Sequence, residues 1–383
     1  MIARLMTLAR GVFLALLAGL LVVACSDDTL VSPEQDPSVE LDLHDLAPDA
    51  QMQALRPATL VLERNTARLM SRPGVVATAV GLTDAGRPAI RMYVDGPVLD
   101  DTPSELGGLP VLVVESGPIV ALQEAQERPG VAARPGPPCP PKCDDGGDGG
   151  NGGNGGGGGS FSPTAKHRPA PNGVSLGHPA ITAGTLGAIV TKGGNWFILS
   201  NNHVLADENL AEIGDDAYQP GRFDDGTEND DIGTLSAFVE IEFSLTAANL
   251  VDAAIASVSP ADVTGETEPG SYGAPRTTTV QATVGQRVMK YGRTTGETKG
   301  RVQAVNATVN VGYDSGVARF VGQIIIGGGG FSAGGDSGSL IVVQNGSDAR
   351  SPVGLLFAGG NGITVANPID DVLEAFGVTI VGN

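Results

Sequence analysis

Ser332-Ala333-Gly334-Gly335-Asp336-Ser337-Gly338-Ser339 runs directly into the apolar stretch Leu340-Ile341-Val342-Val343. A serine between glycines, at the mouth of a β-rich run, sits on a tight turn. Such a turn can aim backbone N–H groups at the place where a carbonyl oxygen becomes negative. Gly335 permits the turn, and Ser337 is the candidate nucleophile. A serine hydroxyl is a weak nucleophile until a base takes its proton, and imidazole is suited to that task near neutral pH. The chain has four histidines. His44 lies in an acidic tether, His167 in a Pro-rich linker and His178 in no fixed context. His203 remains, at the end of Trp196-Phe197-Ile198-Leu199-Ser200-Asn201-Asn202-His203, where a strand reaches a small polar turn.

The surrounding pattern is that of a mainly β body from about residue 173 to 383. Short Val- and Ile-rich runs are punctuated by Gly, with no βαβ alternation. Gly187 to Thr191 and Trp196 to Ser200 flank Lys192-Gly193-Gly194-Asn195 as a hairpin. Val284 to Tyr291, Gly300 to Val311, Ala318 to Ile326, Leu340 to Val343 and Val353 to Phe357 continue the series. One helix closes the chain, with Asn367 as its N-cap, Pro368 at the first helical position and Gly377 at its end.

These motifs resemble the chymotrypsin/trypsin-like superfamily of serine peptidases. The resemblance rests on Asn202-His203, on Asp252-Ala253-Ala254-Ile255-Ala256 and on Gly335-Asp336-Ser337-Gly338, in the order His, Asp, Ser. It covers about residues 175 to 383. An α/β-hydrolase needs its histidine after the serine, and none follows Ser337. The resemblance implies two barrels with the active site in the cleft between them. It further implies Ser337 as nucleophile, His203 as general base and Asp252 as the residue orienting the histidine, with the N–H groups of Gly335 and Ser337 as oxyanion hole. Asp230 and Asp231, which also precede an apolar step, are the alternative to Asp252. Ser339 stands where the family usually has Gly. Phe331, six positions before the nucleophile, stands at the base of the specificity pocket where an Asp would select Lys or Arg. Phe357, Ala358 and Gly359 fall on the strand that lines the pocket and pairs with substrate backbone. A small or apolar substrate side chain follows.

Upstream, residues 1–24 read as a secretory signal, with Arg4 and Arg10 ahead of an uncharged run too short for a comfortable membrane span. Val22-Val23-Ala24-Cys25 resembles the bacterial lipobox, which implies cleavage before Cys25 and a lipid on that cysteine. Ser26 at the next position favours the outer membrane of a Gram-negative cell. Residues 25–49 form an acidic, turn-rich tether. Residues 50–127 read as a small α+β domain, with Pro57 in a first helical turn, Ala58, Val61, Leu62 and Leu69 on one helical face, and strands at Val75 to Leu82, Ala89 to Val94 and Leu109 to Val114. Its placement resembles the prosegments of some bacterial peptidases; an unrelated accessory domain is the alternative. Residues 128–172 are a Pro- and Gly-rich linker.

A net charge of −20 with no cluster of Lys and Arg excludes nucleic acid as a partner. Cys139 and Cys143, a C-x3-C pair in an oxidising compartment, read as a small local disulfide or an idle pair, and with no further ligands nearby they carry no metal site. The acidic stretch Asp224 to Asp231 does not match the spacing of a calcium loop, so it reads as solvated. No cofactor is expected. The whole points to an exported, lipid-anchored serine endopeptidase acting on protein or peptide substrates. The alternatives are a catalytically silent binding or envelope-scaffold lipoprotein on the same fold, and a protein that cuts only itself.

Overall fold

The computed structural model describes residues 42–97, 102–123 and 161–383. Cys25, the signal segment, Cys139 and Cys143 lie outside them. No helix among the described residues is long and apolar enough to cross a membrane.

The first helix, Pro48–Met70, begins with its proline where a missing N–H costs nothing. Leu55, Ala58, Leu62 and Leu69 form its buried stripe. Pro57 lies inside this helix, not in its first turn. The ring forgoes one backbone hydrogen bond there, and packing of the apolar stripe carries the helix through. The stripe covers Val80, Leu82, Ile90, Met92 and Val94, on the antiparallel strands Val75–Leu82 and Pro88–Val94. Leu109–Glu115 pairs parallel with Pro88–Val94.

These strands do not close a sheet of their own. Val75–Leu82 pairs antiparallel with Gly296–Gly312, so one eleven-stranded sheet runs from the N-terminal elements into the C-terminal body. The reason lies in the strand. Val80 and Leu82 face the helix, while Ala77 and Ala79 pack with Tyr93, Val309 and Phe357. A strand buried on both faces has no solvent side at which to end a domain. The described residues accordingly form one unit.

Within the large sheet the pairing path returns on itself. Arg287–Gly292, Leu340–Val343, Pro352–Gly360, Ile363–Pro368, Val317–Gly327 and Gly296–Gly312 pair in that order, and Gly296–Gly312 pairs again with Arg287–Gly292. A second sheet has the order Asp216–Tyr218, Asp231–Phe238, Ala254–Val258, Asn195–Ser200, Ala188–Lys192 and Thr379–Ile380. Its hairpin pairs Lys192 with Asn195 across Gly193-Gly194, the two-residue loop that a Gly-Gly step favours. The protein is mainly β, with the terminal helix Ile369–Phe376 ending at Gly377.

Two expected boundaries shift. Residues 161–172, expected within the linker, are packed into the body. The Phe161 ring stacks on His167 at 4.5 Å, and Arg168 donates to Gln219 Oε1 at 2.7 Å and to the carbonyls of Asp230 and Asp231 at 3.0 Å. Proline-rich composition concealed an aromatic and a guanidinium that anchor the segment. At the other end, Pro368 is the cap of the terminal helix and Asn367 makes no cap bond. The Asn367 side chain is used inside the protein, as described below.

Gln51 ties the first helix to the body. Its side chain, 2% exposed, donates to the carbonyls of Leu43 and Val284 at 3.0 and 2.9 Å and accepts from Val284 N–H at 2.7 Å. Gln51→Leu should cost about 1–3 kcal/mol by stranding buried backbone groups, and should lower a single thermal unfolding transition. Two separate transitions, with only the first shifted, would mean that the helix and the body do not unfold as one.

Candidate active site

Trp196 to Ser200 end the central strand of the second sheet, and the chain turns at Asn201 into the short helix Asn202–Leu205. That turn delivers His203 inward, fully buried. Asp252 precedes the neighbouring strand Ala254–Val258 and is buried as well. His203 Nδ1 lies 2.5 Å from Asp252 Oδ2, and His203 N–H donates to Asp252 Oδ1 at 3.3 Å. The Tyr313 hydroxyl donates to Asp252 Oδ2 at 2.8 Å. Burial, reinforced by the Asp252 charge, holds the Tyr313 phenol far above its usual range, so it stays a donor.

The Asp252 backbone is pinned from both sides. Its carbonyl accepts from Asn201 Nδ2 at 2.7 Å, and its N–H donates to Asn367 Oδ1 at 3.1 Å. Asn367 Nδ2 in turn donates to Gln323 Oε1 at 2.7 Å. With Nδ1 committed to Asp252, His203 Nε2 is left buried with no hydrogen-bond partner. Of the two alternatives to Asp252, Asp230 pairs with Lys166 at 2.7 Å and caps its own turn through Thr227, which together with the Lys166 charge pull its carboxyl down to about 2. Asp231 caps Gly233 N–H at 2.9 Å. Asp224, in the same acidic stretch, is bound at both oxygens by Arg293, at 2.6 and 2.8 Å.

The Ser337 loop is held from below by an ion pair. Lys290 and Asp336, both fully buried, meet at 3.1 Å. Asp336 also accepts from the N–H groups of Thr294 and Ala333 at 3.0 Å and of Thr295 at 3.2 Å, and from the Thr295 hydroxyl at 2.7 Å. Burial pushes the Lys290 ammonium down, and the Asp336 charge opposes that shift. Ser339, where the resembled family has Gly, donates to the Asp336 carbonyl at 2.6 Å and so staples the turn. Gly335 and Gly338 have φ of +87° and +93°, and a Cβ on Gly338 would collide with Ser200 Oγ and Thr185 O. Thr185, on the short strand Gly184–Thr185, fastens the loop, its N–H to Ser337 O at 2.7 Å and its hydroxyl to Gly335 O at 2.9 Å.

Ser337 Oγ donates to the Phe357 carbonyl at 3.2 Å. That carbonyl also accepts from Leu122 N–H at 3.1 Å, while Gly335 N–H donates to Leu122 O at 2.8 Å. Phe331, buried, packs in the same cluster as Leu122. Gly359 abuts it too, since a Cβ there would lie 3.2 Å from Leu122 Cδ1. Phe357 and Ala358 turn their side chains into a different cluster, with Tyr93 and Phe320; Phe357 serves the site by its carbonyl. His178 and His167 lie elsewhere, on Asp215 at 3.1 Å and on the Ser162 carbonyl at 2.8 Å.

Local motif reading does not find Tyr313, Asn367, Asn201, Leu122 or Glu208. Glu208 is 5% exposed. It accepts from Ser315 N–H at 2.7 Å, Asp314 N–H at 3.2 Å and Gln123 Nε2 at 3.1 Å. It sits in a run of three non-glycine residues at positive φ, Asp207 at 45°, Glu208 at 55° and Asn209 at 76°. Such backbone persists only where the surroundings impose it. Here Asn202 and Asn209 clasp each other at 2.7 and 3.1 Å.

A family model described as the Nal1 C-terminal domain matches residues 260–365, a span that includes Ser337 but neither His203 nor Asp252. No curated protein sequence matches the chain. Among solved structures it is similar to Thermobifida fusca Protease A, at 21% identity over 56% of this chain and 98% of that one, with a TM-score of 0.40. An alpha-lytic protease homolog, N4, is similar at 25% identity over 55% and 98% of the two chains, with a TM-score of 0.40. Cellulomonas bogoriensis chymotrypsin is similar at 19% identity over 56% and 99%, with a TM-score of 0.38. The similarity is thus to bacterial chymotrypsin-like serine proteases, at low identity.

Lys290→Met should be among the most damaging single changes, because it leaves Asp336 charged and unpaired in the interior, at a cost of about 3–5 kcal/mol. A large fall in the denaturant midpoint is expected. An unchanged midpoint would show that the N–H donors alone satisfy Asp336.

Proposed function

We propose that the chain is a serine endopeptidase. The observation that carries the reading is the His203–Asp252 contact at 2.5 Å. It fixes the imidazole tautomer that leaves the Nε2 lone pair open to accept a proton. In this reading Ser337 turns from the Phe357 carbonyl toward His203 Nε2 and attacks a substrate carbonyl as His203 takes its proton. The oxyanion is met by the N–H groups of Gly335 and Ser337. Asp252 stabilises the imidazolium, and Tyr313 donates to the same carboxylate oxygen as the imidazole. The leaving amine recovers the proton from His203, and water then hydrolyses the acyl-enzyme. The closed ring of six strands supports one barrel of a two-barrel peptidase, with the second sheet as the other.

The reading includes export and anchoring through a lipid on Cys25, at the outer membrane if the cell is Gram-negative. What supports it is the Val22-Val23-Ala24-Cys25 sequence. Cys25→Ser should move the protein from the membrane fraction to the soluble one. Retention in the membrane fraction would refute the lipid anchor.

A catalytically silent binding role is the second reading. The Ser337 hydroxyl on the Phe357 carbonyl and the complete burial of His203, Asp252 and Ser337 favour it. A fluorophosphonate probe separates the two. Labelling of wild type, in its full-length or a shortened form, and its loss in Ser337→Ala are expected. No labelling of either form leaves the silent role.

Two further outcomes follow for the enzyme. Tyr313→Phe should lower kcat/KM roughly ten-fold by removing one hydrogen bond to a buried charge. The rate should climb with pH, because only a deprotonated general base can accept the Ser337 proton. A flat profile would remove His203 as the base.

A further inference from the structure

The segment from Ser116 to Gln123 runs beside Pro352–Gly360 and the loop that carries Ser337. Val120 pairs with Gly359 and Ala121 with Ala358, antiparallel, along Pro352–Gly360. Leu122 N–H donates to the Phe357 carbonyl at 3.1 Å, and its own carbonyl receives Gly335 N–H at 2.8 Å. The Leu122 carbonyl is therefore polarised by a donor of the proposed oxyanion hole, on the loop that carries Ser337. The Leu122 side chain, 2% exposed, fills an apolar pocket with Phe331 and Leu356 against Gly359. One residue further on, Gln123 Nε2 donates to Glu208 Oε1 at 3.1 Å. Glu208 is a buried carboxylate with backbone donors on it and the strained run Asp207 to Asn209 holding it in place.

We propose that the Leu122–Gln123 peptide bond is this chain's own substrate. In this proposal the pocket at Phe331 and Gly359 selects a leucine-sized apolar residue before the cut bond. Glu208 selects a hydrogen-bond donor after it and disfavours an acidic side chain. The inference rests on the peptidase reading. Ser337 Oγ bonds to the Leu122 carbonyl carbon as its proton passes to His203 Nε2. The C–N bond then breaks, and His203 returns the proton to the Gln123 nitrogen. Water adds to the ester, its hydroxyl going to Leu122 and its proton, through His203, back to Ser337. One peptide bond and one water yield a carboxylate at Leu122 and a new N-terminus at Gln123.

The test is intact mass and N-terminal sequencing of the purified full chain, alongside fluorophosphonate labelling of the same samples. Wild type should give a fragment starting at Gln123, and Ser337→Ala should stay whole. In trans, the wild-type protein should cut a synthetic peptide of residues 116–127 after its leucine. Replacing that leucine by aspartate should slow cutting at least about ten-fold, since a carboxylate would have to enter an apolar pocket. Replacing Gln123 of the peptide by glutamate should also slow it, and Glu208→Gln in the protein should recover most of that loss. A labelled Ser337 with the chain whole, or cut elsewhere in a Ser337-dependent way, overturns the proposal and leaves the peptidase reading standing. Absence of both labelling and cutting takes down the two together. Cutting at Leu122 with no Glu208 rescue overturns the role of Glu208.

Discussion

A carboxylate with no access to water has to be met by donors from the protein, and Asp252 is such a carboxylate. Its donors come from far apart in the chain. His203 arrives from the second sheet, Tyr313 from the end of Gly296–Gly312, and Asn367, which fixes the backbone, from the end of Ile363–Pro368. Satisfying one charge thus requires both sheets to be in register with each other. Gln323 extends the demand, because it holds Asn367 with its carbonyl and the Leu250 carbonyl with its amide. A network of this kind is worth most when every member is present, and the loss of one leaves the others buried without partners.

The second buried charge, Asp336, plays the corresponding part for the turn that carries Ser337. Three backbone N–H groups and one lysine converge on it, so the turn beginning at Gly334 is held in shape by the interior. The positive φ of Gly335 and Gly338 is held by Thr185 and Ser200 from outside the loop and by Asp336 within it. Preorganised donors of this type do not have to reorient as charge develops. The two carboxylates divide the work: Asp252 orients an imidazole, and Asp336 orients a backbone.

Much of this was legible in the chain because it is local. The Gly-Asp-Ser-Gly turn, the strand leading to His203 and the Gly193-Gly194 hairpin each carry their instruction within a few residues. Val75 to Leu82 and Leu340 to Val343 were recognisable as strands for the same reason. What could not be read is relational. Asn367 has the composition of a helix cap, and only the position of Asp252 decides that its amide goes elsewhere. Pro57 stands where a first helical turn would suit it, yet the apolar stripe begins upstream of it, at Leu55. Phe161 and Arg168 sit in sequence that composition assigns to a spacer, and their partners Tyr291 and Gln219 lie far along the chain. The face of Val75–Leu82 that joins the body is lined by Ala77 and Ala79, too small to announce a second buried side.

The shared sheet also bears on what a break in the chain would accomplish. A nick beyond Leu122 would sever the covalent path and leave the pairing of Val75–Leu82 with Gly296–Gly312 and the Gln51 bonds to Val284 untouched. The stub ending at Leu122 would remain at high effective concentration beside the Ser337 loop. Access for any other molecule would then be timed by how long the two strands stay zipped, a residence time set by local opening of the sheet and not by bond chemistry.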